Sequence, residues 1–448
     1  MNKDYLRCHL QEESLMGMSA GIIDRRRMEA ALEDRRTFAV MVSLVSLAVL
    51  VFTQAADKWH DLDHYYDNAG SVLDGMMPYS GFTFEYPPLS LVFMIIPRLL
   101  SWDLESYHFA CSALAYAFVV IGALVLDRFS DDMVGTRWQS RLIILLTVVF
   151  CSYFVIARND IFAAVLALIG VRLFQRDRAP LAAAVVAVAA MVKLYPAVLL
   201  LPMLALLACR RDWRGLMLSV VAAGAVVLLV ELPFLLTDPS TAFAYLTYHS
   251  DRGIQVESVA GGLFLFADMF VQTDMSVVFG YGSDNVVGHM PDALAPLMNP
   301  VMILVLLAFV AVFAARILSG GMGRRRQNAV LGAACAIMVM LFICFSKVYS
   351  AQYLIWIMLL LPLTQASCFD STRRGRVFRI TVPFGIFSML SYFSYACFSI
   401  YEPNAIIVVM IVMKNVFHIA LTVELLRMFW AETHPEACGS CPARWRMR

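Results

Sequence analysis

Residues 61–88 read DLDHYYDNAGSVLDGMMPYSGFTFEYPP, five carboxylates and four tyrosines set between two apolar stretches. Carboxylates can take a proton from a hydroxyl or hold a metal, so their directions matter. On a helix over 57–74, Leu62, Tyr66, Ala69, Leu73 and Met76 recur at steps of four and three and make one apolar stripe. At 100° per residue, Asp63, Asp67 and Asp74 gather within about 40° of each other on the polar side, the pattern of a solvated face. Asp61 falls on the other flank, beside the stripe, with Tyr65 one turn on and Asn68 beyond. The wheel therefore turns Asp61 toward the protein. The DxD spelling at 61–63 argues little for a shared metal, because i and i+2 do not face one way.

A second set of reactive groups is cationic. Lysine is rare, five in 448 residues. Lys193, Lys347, Arg158 and Arg252 fall at the ends of apolar runs, where ionisable groups are usually functional and snorkelling anchors are the alternative. Asp160 could orient Arg158 or Lys193, accept from a ligand hydroxyl, or cap its helix. Glu85 and Tyr86 precede Pro87-Pro88, which fixes an extended backbone and aims both side chains at the same loop cavity; an interfacial tyrosine is the plainer reading of Tyr86. Lys414 and His418 share one face of the last apolar run, with Glu424 or Glu231 as candidate partners.

These groups sit in a chain built for lipid. With 60% hydrophobic and 15% charged residues and a mean hydropathy of +0.72, 448 residues cannot form one soluble core. The expectation is an all-α polytopic membrane protein. A net charge of +1 gives no basis for a nucleic-acid partner. The ten cysteines are scattered singly apart from Cys438-Gly-Ser-Cys441, which reads as a reduced tail. Polar residues including Arg25-Arg26-Arg27 precede the first apolar run, so that run is expected to stay as a signal anchor.

Apolar runs long enough for spans predict twelve, near 37–55, 104–126, 141–157, 161–174, 180–193, 197–209, 215–235, 294–316, 328–345, 350–366, 378–400 and 405–429. Arginine clusters at 25–36, 128–141, 175–178, 210–214, 324–326, 373–379 and 444–448 then all face one side, which positive-residue bias makes cytoplasmic. The domain organisation that follows is a cytoplasmic arm (1–36), a transmembrane unit (37–430) and a cytoplasmic tail (431–448). To keep this pattern PPLSLVFMIIPRLLSW (87–102), broken by Pro97 and Arg98, must be refused as a span and laid at the outer interface. Two large outer loops result, 56–103 and 237–293, and loops that long usually carry function.

The stretch DLDHYYDNAG…GMMPYSGFTFEYPPLSLVF resembles the first outer loop of GT-C glycosyltransferases, membrane enzymes that take sugar from a polyprenyl phosphate, and in particular glycosyltransferase family 87. Three blocks agree in the same order: ARNDIFAAVLALIG (157–170), AMVKLYPAVLLLP (190–202) and FSKVYSAQYLIWIMLLLP (345–362). HSDRGIQVES (249–258) is similar to the family's later outer loop. Ala351 departs from the pattern, standing where proline is expected. The resemblance spans roughly 50–365 and omits the last two spans.

The resemblance implies a GT-C-like fold and transfer of a sugar, mannose in most of the family, from polyprenyl phosphate to a lipid-linked or polymeric acceptor on the outer face. It places the base on the aspartate of the first-loop Asp-Leu motif, here Asp61; a helix N-terminal acid held by the local dipole is the alternative. Inverting attack also needs positive charge at the departing phosphate. Arg158, Lys193, Arg252 and Lys347 are the candidates, at least two of them in contact. Tyr65, Glu85, Tyr86, Asp160, Tyr195, His249, Gln255, Glu257, Gln352 and Tyr353 complete the expected substrate contacts. No cofactor and no metal are expected. Rival readings are another GT-C enzyme, such as a pentosyltransferase or an O-antigen polymerase or ligase, and a glycolipid transporter. A transporter would concentrate its ionisable groups at mid-membrane between repeats, whereas here only Lys414 is plainly intramembrane.

Overall fold

The computed structural model describes residues 27–54, 60–130, 137–271, 273–368, 371–401 and 404–434. Most of the N-terminal arm, Lys58, the Cys438–Cys441 pair and the tail from 435 lie outside the described residues, as does the side chain of His249. In chain order, α1 covers Arg35–Gln54; α2 (His60–Leu73) and α3 (Ser90–Leu99) lie in the first loop; α4 is Leu104–Ser130 and α5 is Arg137–Phe150. Short α6 (Ser152–Ala157) leads to α7 (Asp160–Gln175) and α8 (Ala179–Val192), and a 3-10 turn at Tyr195–Leu199 runs into α9 (Leu200–Cys209). Then come α10 (Trp213–Thr237), α11 (Ala244–Asp251), α12 (Val259–Asp268), α13 (His289–Ser319), α14 (Arg324–Phe345), α15 (Leu354–Ser367), α16 (Ser371–Cys397) and α17 (Ala405–Glu432).

Each of the twelve apolar intervals coincides with a helix or a broken helix. Among the described residues, α4, α10, α13, α14, α16 and α17 hold apolar stretches long enough to cross a membrane unaided, which makes this a multi-pass membrane protein. Helices α7, α8, α9 and α15 are shorter, between 10 and 16 residues. Most of their residues are buried by neighbouring helices, and broken helices are tolerated where protein encloses them. Helix α14 is central and largely buried, whereas α10 and α13 turn exposed Leu228, Leu229, Leu304 and Leu307 outward.

The α7–α8 hairpin packs closely because α8 is alanine-rich and α7 carries Gly170, where a Cβ would lie 2.5 Å from Val186 Cγ2. Small residues at such crossings replace the hydrophobic drive that lipid removes. Helix α3 has ten residues, about 15 Å of rise, too short to cross a hydrocarbon core. It docks on the bundle instead, with Met94 fully buried and Leu89 N donating to Met191 O at 2.9 Å.

The arginine clusters meet one another at one end of the bundle. Arg324 pairs with Asp177 at 2.9 Å, Arg210 donates to Asn328 at 2.7 Å, and Arg326 pairs with Glu432. Arg376 reaches Glu424 at 2.7 Å, and Arg35 and Arg141 both close on Asp127.

A small antiparallel sheet in the second loop is the one departure from an all-helical reading among the described residues. Strands β1 (Ile254–Gln255), β2 (Ser276–Gly280) and β3 (Ser283–Val287) lie in the order β1-β3-β2, with Val278 opposite Asn285. Tyr281 (φ 52°) and Gly282 (φ 67°) form the two-residue connection, both in the left-handed region that tight hairpins demand.

Candidate active site

At the end opposite the arginine clusters, three cations share a structural device. Arg158 terminates α6 at φ −137°, ψ 148°, Lys193 terminates α8 at φ −153°, ψ 134°, and Arg252 terminates α11 at φ −61°, ψ 144°. Each is the extended residue where a helix stops, so the backbone carries its side chain out of the helix path. For Lys193 the chain then tightens into the 3-10 turn holding Pro196, which cannot continue an α-helix in register. All three line one cavity of about 280 Å³, whose wall also holds Glu85, Tyr86, Gln255, Glu257, Gln352 and Tyr353.

Helix α2 delivers Asp61 to Arg158, which lines this cavity; Asp61 itself is not among the lining residues. Its Oδ2 lies 2.6 Å from Arg158 Nη1, and the two side chains stay 30% and 26% exposed. Burial raises the Asp61 carboxyl above its ordinary 3.8; the Arg158 guanidinium opposes the shift and Glu85 adds to it. Asp63 turns elsewhere, to His108 Nε2 at 2.9 Å, so the DxD carboxylates answer to different partners. Protein covers the apolar stripe only in part. The buried face of α2 is Leu62, Tyr65 and Ala69, while Leu73 and Met76 are exposed. Helix α2 packs on protein only through its first turns, and Tyr66 lies under Arg98 at 4.2 Å and against Tyr107.

Asp160 is fully buried and both its oxygens are taken: Oδ2 accepts from Lys193 Nζ at 2.8 Å and Oδ1 from Trp356 Nε1 at 2.6 Å. Of the roles expected for it, orienting Lys193 is the one the geometry carries. Trp356 is in turn clamped between Tyr195 (3.9 Å, 6°) and Tyr353 (3.6 Å, 19°), an aromatic stack under the cavity floor. Lys193 Nζ lies 5.5 Å from the Tyr86 ring centroid and 5.9 Å from that of Trp356, within cation–π range. Tyr86 is set by Tyr79, whose hydroxyl donates to Tyr86 O at 2.6 Å, and its own hydroxyl is 3.4 Å from that of Tyr65.

Gln255 acts as a strap. Its Nε2 donates to Ser350 Oγ at 2.9 Å, its Oε1 accepts from Tyr349 N at 3.1 Å, and its backbone N donates to Lys347 O at 2.9 Å. The second long loop is thereby tied to the segment before α15. Lys347, Tyr65 and Tyr195 are buried without lining the cavity. Of the four expected cations, therefore, three reach it. Arg252 is nine-tenths buried, and its Nε has no hydrogen-bond partner among the described residues.

Some participants escaped the sequence reading. Lys414 pairs with neither Glu424 nor Glu231 but with Glu257, at 3.5 Å. Tyr392 of α16 and the hairpin residues Ser283 and Asp284 line the cavity. The β-branched and aromatic run SVVF followed by the Tyr281-Gly282 turn was a readable hairpin signal; Tyr392 carried none.

A helical bundle with spans long and apolar enough to cross a membrane, and a cation- and carboxylate-lined cavity under two long loops, defines the class: a multi-pass membrane protein with a charged, polar cavity among its helix ends. The sequence matches the model for Glycosyltransferase family 87 across residues 82–346, more than half of the chain, and the protein belongs to that family, a glycosyltransferase of GT-C type. It is 23% identical over 342 residues to GPI mannosyltransferase 1 of Trypanosoma brucei brucei (strain 927/4 GUTat10.1), covering 70% of this chain and 71% of that protein. Among solved structures, ArnT from Cupriavidus metallidurans bound to undecaprenyl phosphate aligns over 91% of this chain and 80% of that one, at 13% identity and a TM-score of 0.44.

Proposed function

We propose that the protein moves mannose from a polyprenyl-phosphate donor to a hydroxyl of a lipid-linked or polymeric acceptor, on the outer face of a cell membrane, with inversion and with Asp61 as base. The observation that carries this reading is the pairing of Asp61 with Arg158, a cation that lines one cavity together with Lys193 and Arg252. Asp61 takes the acceptor hydroxyl's proton as its oxygen attacks the anomeric carbon. The bond from that carbon to the phosphate oxygen breaks, its electron pair leaving with the phosphate. The unspent donors of Arg252 suit the departing phosphate, since Arg158 and Lys193 already answer carboxylates.

Mannose is supported by the likeness to a GPI mannosyltransferase, and the outer-face assignment by the arginine clusters at the opposite end. Both termini are then cytoplasmic. The reaction is proposed to need no metal, because protein cations supply the charge and Asp61 and Asp63 are directed apart.

The test incubates purified protein with a panel of polyprenyl-phosphate sugars and a membrane lipid extract. A product heavier by one hexose, formed only with the mannosyl donor and undiminished by EDTA, supports the reading. Transfer of a pentose instead, or loss of product with EDTA, contradicts it.

A further inference from the structure

Glu257 lines the cavity and is held from behind. Its Oε1 accepts from Ser391 Oγ at 3.2 Å and faces Lys414 Nζ at 3.5 Å. Among the described residues, Oε1 carries the hydrogen bond and the ion pair recorded for this carboxylate, and none is recorded for Oε2. Lys414 is fully buried in α17, where it also donates to Glu257 O at 3.0 Å and lies 3.9 Å over the Tyr349 ring. The neighbouring Asn415 amide donates to Ser258 O at 3.0 Å, so two consecutive side chains of α17 grip the same turn. One helical turn on, His418 fixes Tyr349. Its Nε2 meets the Met340 carbonyl at 3.0 Å and must donate there, which leaves Nδ1 of the neutral ring to accept the Tyr349 hydroxyl at 3.1 Å.

Burying a lysine within a span costs several kcal/mol unless it is paired, and such residues usually serve a site. A pair made only for packing would enclose both carboxylate oxygens. This one leaves the carboxylate one-sided at a cavity wall.

We propose that Lys414 is a positioning residue for sugar recognition: it fixes the Glu257 carboxylate so that Oε2 accepts one hydroxyl of the sugar bound in the cavity. Part of the specificity then comes from the last two helices, through Lys414 and Ser391, beyond the 82–346 segment that matches the family. This rests on the transferase reading above.

The experiment measures kcat/KM of the full chain for polyprenyl-phosphate mannose and for the four monodeoxy donors. A site built to pair a hydroxyl penalises the analogue lacking it, here by about 100-fold or more at one position. Glu257→Gln and Lys414→Met should both cut that one penalty to under about 10-fold and leave the other three ratios unchanged, which a merely structural lysine would not do. Ser391→Ala, a milder change that covers the case of Lys414→Met failing to fold, should reduce the same penalty by about 3-fold. If the protein turns over no sugar donor, the transferase reading falls and this inference with it. If it turns over mannose while these variants keep the wild-type deoxy pattern, the inference alone is overturned.

Discussion

Two arginine–aspartate pairs occupy opposite ends of the bundle and are built in opposite ways. His108, near the start of α4, touches Asp63 of α2, two residues from Asp61, and Asp127 lies about 29 Å further along the same helix. At that far end Arg141 Nε donates to Asp127 Oδ1 at 3.0 Å, Arg35 covers the other carboxylate oxygen, and the Leu32 carbonyl takes Arg141 Nη1 at 2.5 Å. The two side chains are 1% and 3% exposed. Asp61 and Arg158 pair at 2.6 Å yet remain partly exposed beside a cavity. The same two residue types are thus saturated and structural in one place, open and available in the other. Charge alone does not mark a site; unspent valence at a cavity does.

That contrast can be broken by substitution. Asp61 itself aside, the largest expected effect is structural. Asp127→Asn leaves Arg141 buried without its counter-charge and should cost about 3–5 kcal/mol of stability. Thermal unfolding in detergent should show it, with turnover per folded molecule unchanged. Arg252→Gln should do the reverse, keeping the unfolding temperature and lowering kcat/KM by about 10- to 100-fold, the worth of one charged hydrogen bond.

The pH profile sharpens the site half of the comparison. The base works ionised, so activity is lost as pH falls through its pKa. Because burial raises the Asp61 carboxyl, the acid limb of kcat/KM should lie above the ordinary 3.8. Arg158→Gln removes the cation that holds this value down, and the limb should move further up. A limb that moves down would mean another group titrates. The smallest effect is expected at Asp63→Asn, since its half-exposed carboxylate makes one contact, with His108, worth about 0–1 kcal/mol, and lies outside the cavity lining. Turnover there should change less than about 2-fold by the same accounting.

How much of this could be read beforehand depended on range. Membrane helices were legible because lipid demands long unbroken apolar runs. The arginine spacing located one end of the bundle because six of the clusters contain residues that meet there, Arg35, Arg141, Asp177, Arg210, Arg324 and Arg376 among them. The separate directions of Asp61 and Asp63 were legible through local helical geometry, although protein covers only Leu62 and Ala69 of the stripe, with Tyr65 beside them. Contacts between distant segments were not. Trp356 under Asp160 and Lys414 behind Glu257 join residues far apart in sequence, each hidden in an apolar run where an aromatic or a single lysine reads as packing or anchoring. The hairpin at Tyr281-Gly282 was overlooked because its strands have only five residues each in a loop read for helices.

The most direct measurement is a single-turnover reaction with polyprenyl-phosphate mannose, following mannosylated acceptor and free polyprenyl phosphate together, in wild type and Asp61→Asn. Loss of both products by at least about 100-fold in the variant, with donor binding and unfolding temperature retained, is the predicted result. Retained turnover in Asp61→Asn would contradict the assignment of Asp61 as base.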